Sequence, residues 1–133
     1  MARVMIVENS EKPCLSAKQL LSSINYEIVY ETSNGFEAIE KYGLVKPDLL
    51  LLDLVLSKSD GLSVLKEIKK NHPESKIIIL TLNSNTKLLD ECNKSGANAC
   101  ITIPYNLKDF VTFVTTICNS PQPKPEVTPV IID

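Results

Sequence analysis

The chain has 133 residues, 14 Lys and Arg against 16 Asp and Glu, a net charge of −2 and 44% apolar residues. That length suits one domain whose core needs neither disulfides nor a structural metal, and the charge gives no sign of the basic face that direct nucleic-acid binding needs, so none by this domain is expected. The apolar runs Val4–Val7 and Leu49–Leu52 are too short for a signal peptide or a membrane span, so a cytoplasmic protein without membrane contact is expected.

Short apolar runs alternate with helix-period stretches. Arg3–Val7 reads as a first strand. Cys14, Ala17, Leu21 and Ile24 then recur at helical spacing, which predicts a helix over Pro13–Ser23 with proline near its first turn. Glu27–Glu31 alternates as a half-exposed edge strand does, with Ile28 and Tyr30 on one side. After Asn34-Gly35, Phe36, Ile39 and Tyr42 mark a second helix that ends near Pro47.

Asp48–Asp53 holds four consecutive leucines, the pattern of a strand buried on both faces. Asp60-Gly61 opens a third helix through Leu62, Leu65 and Ile68, which stops at Asn71-His72-Pro73. Lys76–Thr81 is another buried strand. A fourth helix passes Leu88, Leu89 and Cys92 and is stopped by Gly96. Asn98–Ile103 reads as a fifth strand, and Leu107, Phe110, Val114 and Ile117 define a last helix whose outer face shows Thr112, Thr115 and Thr116.

This alternation demands right-handed crossovers and a parallel sheet. The expected fold is therefore one α/β domain over residues 2–118. Residues 119–133, with four prolines and no helical period, read as a linker or disordered tail that leaves room for a downstream output domain. Cys14, Cys92, Cys100 and Cys118 lack metal-type spacing and read as buried free thiols, and His72 reads as a surface cap residue.

Ligands of an open parallel sheet bind beyond the carboxyl ends of its strands, where strand order reverses. The polar residues at those ends are Glu8 and Asn9, Asp53 and Thr81. With strand order 2-1-3-4-5 they share one cleft. Two carboxylates and an amide oxygen are hard ligands suited to Mg2+. A carboxylate beside such an ion can act as a nucleophile toward an activated phosphoryl group. Each of these residues also has a bland reading as a turn or helix cap.

Glu8-Asn9 after the first strand, Leu49–Asp53, Asp60-Gly61 seven and eight residues later, Thr81 after Ile79-Leu80, and Pro104-Tyr105 after the fifth strand resemble, in order and spacing, the receiver domain of response regulators. The resemblance implies a flavodoxin-like, three-layer fold with about five helices. It implies that Asp53 accepts a phosphoryl group from a sensor histidine kinase or phosphotransfer protein in two-component signalling. Glu8 and Asn9 match the acidic pair that binds magnesium, the backbone carbonyl of Val55 completes the metal site, and Thr81 contacts the phosphoryl group.

The chain departs from that family at four places. Asn9 stands where a second acid is usual, Ile103 where a lysine contacts the phosphoryl group, Cys100 at the switch aromatic and Ser57 at a common proline. A hydrogen bond to a charged group is worth about 1.5–3 kcal/mol, which Ile103 forgoes. Loss of one acid and one lysine leaves the resting site's formal charge unchanged. Lys58, in the loop after Asp53, is a candidate stand-in for the cation. The expectation is a receiver, not an enzyme beyond self-phosphorylation and self-dephosphorylation at Asp53, with weak magnesium binding and weakened stabilisation of the product. The alternative is a pseudo-receiver acting as a phosphorylation-independent interaction module. A flavin or phosphatase site is disfavoured, since no Ser/Thr/Gly-rich cradle or Asp-x-Asp follows the first strand.

Overall fold

The computed structural model describes residues 1–9, 11–82 and 85–121, with the side chains of 11–15 left out. Five strands alternate with five helices: β1 (Arg3–Val7), α1 (Glu11–Ser23), β2 (Glu27–Thr32), α2 (Gly35–Val45), β3 (Leu49–Asp53), α3 (Gly61–Asn71), β4 (Ile77–Thr81), α4 (Thr86–Lys94), β5 (Ala99–Thr102) and α5 (Leu107–Asn119). All strand pairs are parallel and the order is β2-β1-β3-β4-β5. This is the flavodoxin-like arrangement expected, and every predicted element is present.

The sheet is buried on both faces, which is why β3 and β4 can be apolar without alternation. Met5, Val7, Leu50, Leu52, Ile77 and Ile79 point to one side, against Ala38 and Tyr42 of α2, Val64, Leu65 and Ile68 of α3, and Cys92 of α4. Val4, Ile6, Leu49, Leu51, Ile78 and Leu80 point to the other, against Ala17 and Leu21 of α1 and Phe110 and Val114 of α5.

Local chemistry sets the helix ends. The Asn34 side chain accepts from the N–H groups of Phe36 and Glu37, and Asp60 accepts from Ser63 N–H at 2.8 Å. Asn85 and Asn106 cap α4 and α5 in the same way. Gly96, at φ 106°, lets the chain leave α4 in a conformation a side chain would resist.

Some expectations need correction. The pairing register slips between Val4 and Met5, which face Ile28 and Tyr30 respectively, so Val29 is an extra residue. Ile28 therefore packs with the α1/α5 layer and Tyr30 with the α2/α3 layer, not on one side. Helix α1 starts at Glu11, before Pro13, which takes a first-turn place where its missing N–H costs nothing.

His72 is half-buried, its ring 5.0 Å from that of Tyr42, while it caps α3. Of the cysteines, Cys92 is buried, whereas Cys100 and Cys118 are only partly so. The outer face of α5 carries more than threonine: Leu107 and Phe113 are exposed, and Thr115 turns its hydroxyl back onto the Val111 carbonyl at 2.8 Å. The Cys14 side chain and the tail from residue 122 lie outside the described residues.

Candidate functional site

Register alone brings the acidic pair together. Val7 pairs with Leu52 across β1 and β3, so the next residue of each chain segment, Glu8 and Asp53, lies side by side at the carboxyl edge. Asp53 pairs with Leu80, which places Thr81 one step further along β4. Asp53 follows Leu49 and Leu51 on the α1/α5 side, and Thr81 follows Ile77 and Ile79 on the other, so the cleft straddles the sheet edge.

The two carboxylates differ in environment. Glu8 is 7% exposed and neither side-chain oxygen has a hydrogen-bond partner. Burial first, then the Asp53 charge, pushes its carboxyl up to about 7. Asp53 is half-buried at the cleft mouth. Burial raises its carboxyl too, opposed by the backbone N–H groups of Val55, Asn9 and Leu54. The Val55 N–H donates to it at 3.1 Å.

Thr81 is 1% exposed, and its carbonyl accepts from the Ile103 N–H at 2.7 Å. Asn9 is exposed. Ile103, partly buried, packs with the same layer as Ile101 and Phe110, on the side of the sheet that Asp53 faces. Its side chain is hydrocarbon, at the position where the resemblance implies a lysine. Cys100 packs in the opposite layer, its thiol 3.7 Å from the Asn93 amide oxygen, and burial pushes that thiol up to about 11. It is inert as a nucleophile near neutral pH.

Two further features shape the loop beside the cleft. Gly61 lies so close under β3 that a Cβ there would stand 2.1 Å from the Asp53 carbonyl oxygen. Its N–H donates to the Leu54 carbonyl at 2.8 Å, and Val55 and Asp60 form an isolated antiparallel bridge that folds the loop back on itself. Ser57 fastens the same loop to the turn before α2: both its N–H (3.0 Å) and its hydroxyl (2.7 Å) donate to the Ser33 carbonyl. The Asp60-Gly61 dipeptide hinted at the first; nothing in sequence could pair Ser57 with Ser33. Lys58 is exposed.

The orphaned Glu8 oxygens next to Asp53 fit a divalent cation: a buried carboxylate without donors is costly unless a positive charge arrives. Among the described residues no group of three His, Cys, Asp or Glu side chains forms. Among those residues the carboxylates at the cleft are Glu8 and Asp53, with the Asn9 side-chain oxygen and the Val55 carbonyl as neutral candidates. No helix among those residues is long and apolar enough to cross a membrane.

Comparison with known proteins identifies the family and the fold. The response regulator receiver domain model matches residues 4–115. The chemotaxis protein CheY of Thermotoga maritima is 33% identical over 103 residues, covering 77% of this chain and 86% of that protein. CheY of Listeria monocytogenes is 30% identical over 105 residues, or 79% and 88%. Among solved structures, the signal receiver domain of a putative Luxo repressor protein from Vibrio parahaemolyticus superposes with a TM-score of 0.81 at 29% identity, covering 88% and 89% of the two chains. The fold is also that of CheY from Borrelia burgdorferi, solved in a CheX–CheY complex with BeF3 and Mg2+ (TM-score 0.83, 24% identity, 87% and 88% covered). The chain, with its five-stranded parallel sheet and strand-end acids, belongs to the receiver domain family of response regulators.

Proposed function

We propose that this receiver accepts a phosphoryl group on Asp53 from a histidine kinase or phosphotransfer protein in the cytoplasm, and that it holds the product less firmly than a site with a full set of cations. The observation that carries the reading is the pairing of half-exposed Asp53 with Glu8, whose buried oxygens have no donors.

An Asp53 carboxylate oxygen attacks the phosphorus of the donor, the new O–P bond forming as the bond to the donor's leaving group breaks. Thr81 offers its hydroxyl to a phosphoryl oxygen. Glu8, Asp53, the Asn9 side-chain oxygen and the Val55 carbonyl would hold Mg2+, which when bound offsets the charge of the acids and the arriving group. Asn9 lacks formal charge, so binding is weak. Ile103 supplies no donor, so the acyl phosphate lacks the charged hydrogen bond that a lysine provides.

Ile103 and Cys100 support a second reading, a pseudo-receiver whose surface binds partners without phosphorylation. Under either reading the proposed domain is residues 2–118, with residues 119–133 read from sequence as a linker or tail. Incubation with Mg2+ and acetyl phosphate followed by intact mass separates the two. The first reading expects one added phosphoryl group, absent in Asp53→Asn. Wild-type protein that stays unlabelled under conditions that label an ordinary receiver favours the second.

A further inference from the structure

The loop between Asp53 and α3 carries the Val55 carbonyl, yet little apolar burial holds that carbonyl in place. Val55 is 65% exposed, and Ser57 and Lys58 are exposed as well. Leu56 packs against the core, which anchors one side chain and leaves the flanking peptide planes to polar contacts. Such contacts exist. The Val55 N–H donates to Asp53, the Gly61 N–H donates to the Leu54 carbonyl, and Ser57 reaches out of the loop to Ser33.

The Ser57 contact is twofold. One carbonyl oxygen has two lone pairs, and Ser33 spends both on the same residue, accepting its N–H at 3.0 Å and its hydroxyl at 2.7 Å. The Ser33 hydroxyl also lies 3.4 Å from that of Ser57. Ser33 is itself well placed to act as a fixed post. It follows β2, whose Thr32 carbonyl accepts the Glu8 N–H at 3.1 Å, and it precedes Asn34, the cap of α2. The Glu8 backbone and the acceptor loop are thus referenced to one two-residue segment.

We propose that Ser57 is a positioning residue: its two hydrogen bonds to the Ser33 carbonyl hold the loop so that the Val55 carbonyl and the Glu8–Asp53 pair present one preset cleft to a divalent cation. The proposal rests on the metal-site reading above. A proline at position 57 would give the loop a fixed φ but no N–H, so the serine replaces internal stiffness with an external tie. Preset geometry matters most for magnesium, which demands near-octahedral placement of its ligands.

The test is calorimetric titration of Mg2+ into wild type, Ser57→Ala and Ser57→Thr, at a temperature where all three are fully folded, together with amide hydrogen exchange of the metal-free proteins. Ser57→Ala is expected to bind Mg2+ roughly three- to tenfold more weakly and to exchange faster at the Val55 and residue 57 amides, while Ser57→Thr, which keeps the hydroxyl, binds as wild type does. A residue that merely stabilised the fold would lower the melting temperature and leave both readouts unchanged, and that result overturns the proposal. Wild-type uptake with an unaltered constant in Ser57→Ala overturns the positioning role alone; a wild-type protein that takes up no Mg2+ overturns the metal-site reading and this proposal with it.

Discussion

Glu8 and Asp53 stand side by side at the carboxyl edge of the sheet, and their burial is unequal: Glu8 is enclosed with both oxygens unpartnered, while Asp53 is half-open and receives backbone N–H groups. Glu8 is therefore the acid that burial and its neighbour push up to about 7, from an ordinary 4.5. Below about pH 4.5 both folded and unfolded chains carry the Glu8 proton. Between there and 7 the folded chain keeps a proton that the unfolded chain has lost, so stability falls as pH rises. Above 7 the full cost stands, on the order of 3 kcal/mol. In EDTA, the stability of Glu8→Gln relative to wild type should rise by about that amount between pH 4.5 and 8, measured by urea denaturation. Parallel pH profiles would refute the assignment.

Magnesium uptake should respond to Asn9. Asn9→Asp returns a charged ligand to the position after Glu8, and affinity is expected to tighten on the order of tenfold. The same titration at two pH values should show stronger binding at the higher one, as Glu8 must lose its proton to ligate. An unaltered constant in Asn9→Asp would place that side chain away from the ion.

Ile103→Lys should prolong the phosphorylated state. A charged hydrogen bond of about 1.5–3 kcal/mol corresponds to roughly tenfold or more in the lifetime of the acyl phosphate. Ile103→Met, which keeps the apolar contact and adds no charge, serves as the control. Equal decay in all three proteins, followed by intact mass after removal of acetyl phosphate, would remove Ile103 from the account.

Two glycines should give opposite results. A Cβ at Gly61 would meet the Asp53 carbonyl oxygen at 2.1 Å and Leu54 Cα at 2.6 Å, backbone atoms that cannot step aside. Gly61→Ala should cost about 2–3 kcal/mol and disturb the acceptor loop. At Gly43, inside α2, the nearest atoms are the His72 ring at 3.7–3.8 Å. Gly43→Ala should stabilise by up to about 1 kcal/mol, through helix propensity alone. Thermal denaturation of the two variants decides both.

Much of the fold was legible because its signals are local. The four leucines before Asp53 announce a strand buried on both faces, and Asn34, Asp60 and Gly96 announce helix ends. The strand-end acids and Thr81 followed from those elements together with the order rule for parallel sheets. What escaped depends on pairing. The extra Val29 is set by how β2 lies on β1, so alternation within β2 misplaced Ile28 relative to Tyr30. The Ser33–Ser57 tie joins residues 24 apart. Phe113 was hidden among threonines because α5 has a broad outer face, and the burial of Glu8 could not be distinguished from exposure by its position after a strand.

Lys76 sits at the start of β4, and its ammonium group donates to the carbonyls of Cys118 and Ser120 at 2.9 and 2.7 Å. That staple pins the finish of α5 to the pole of the molecule opposite Asp53. The Asp53 carboxylate and Ser120 are thus separated by the full height of the sheet, about 17 Å for a five-residue strand. A change at one end that is to be felt at the other must cross the packed layers of sheet and helix that lie between them.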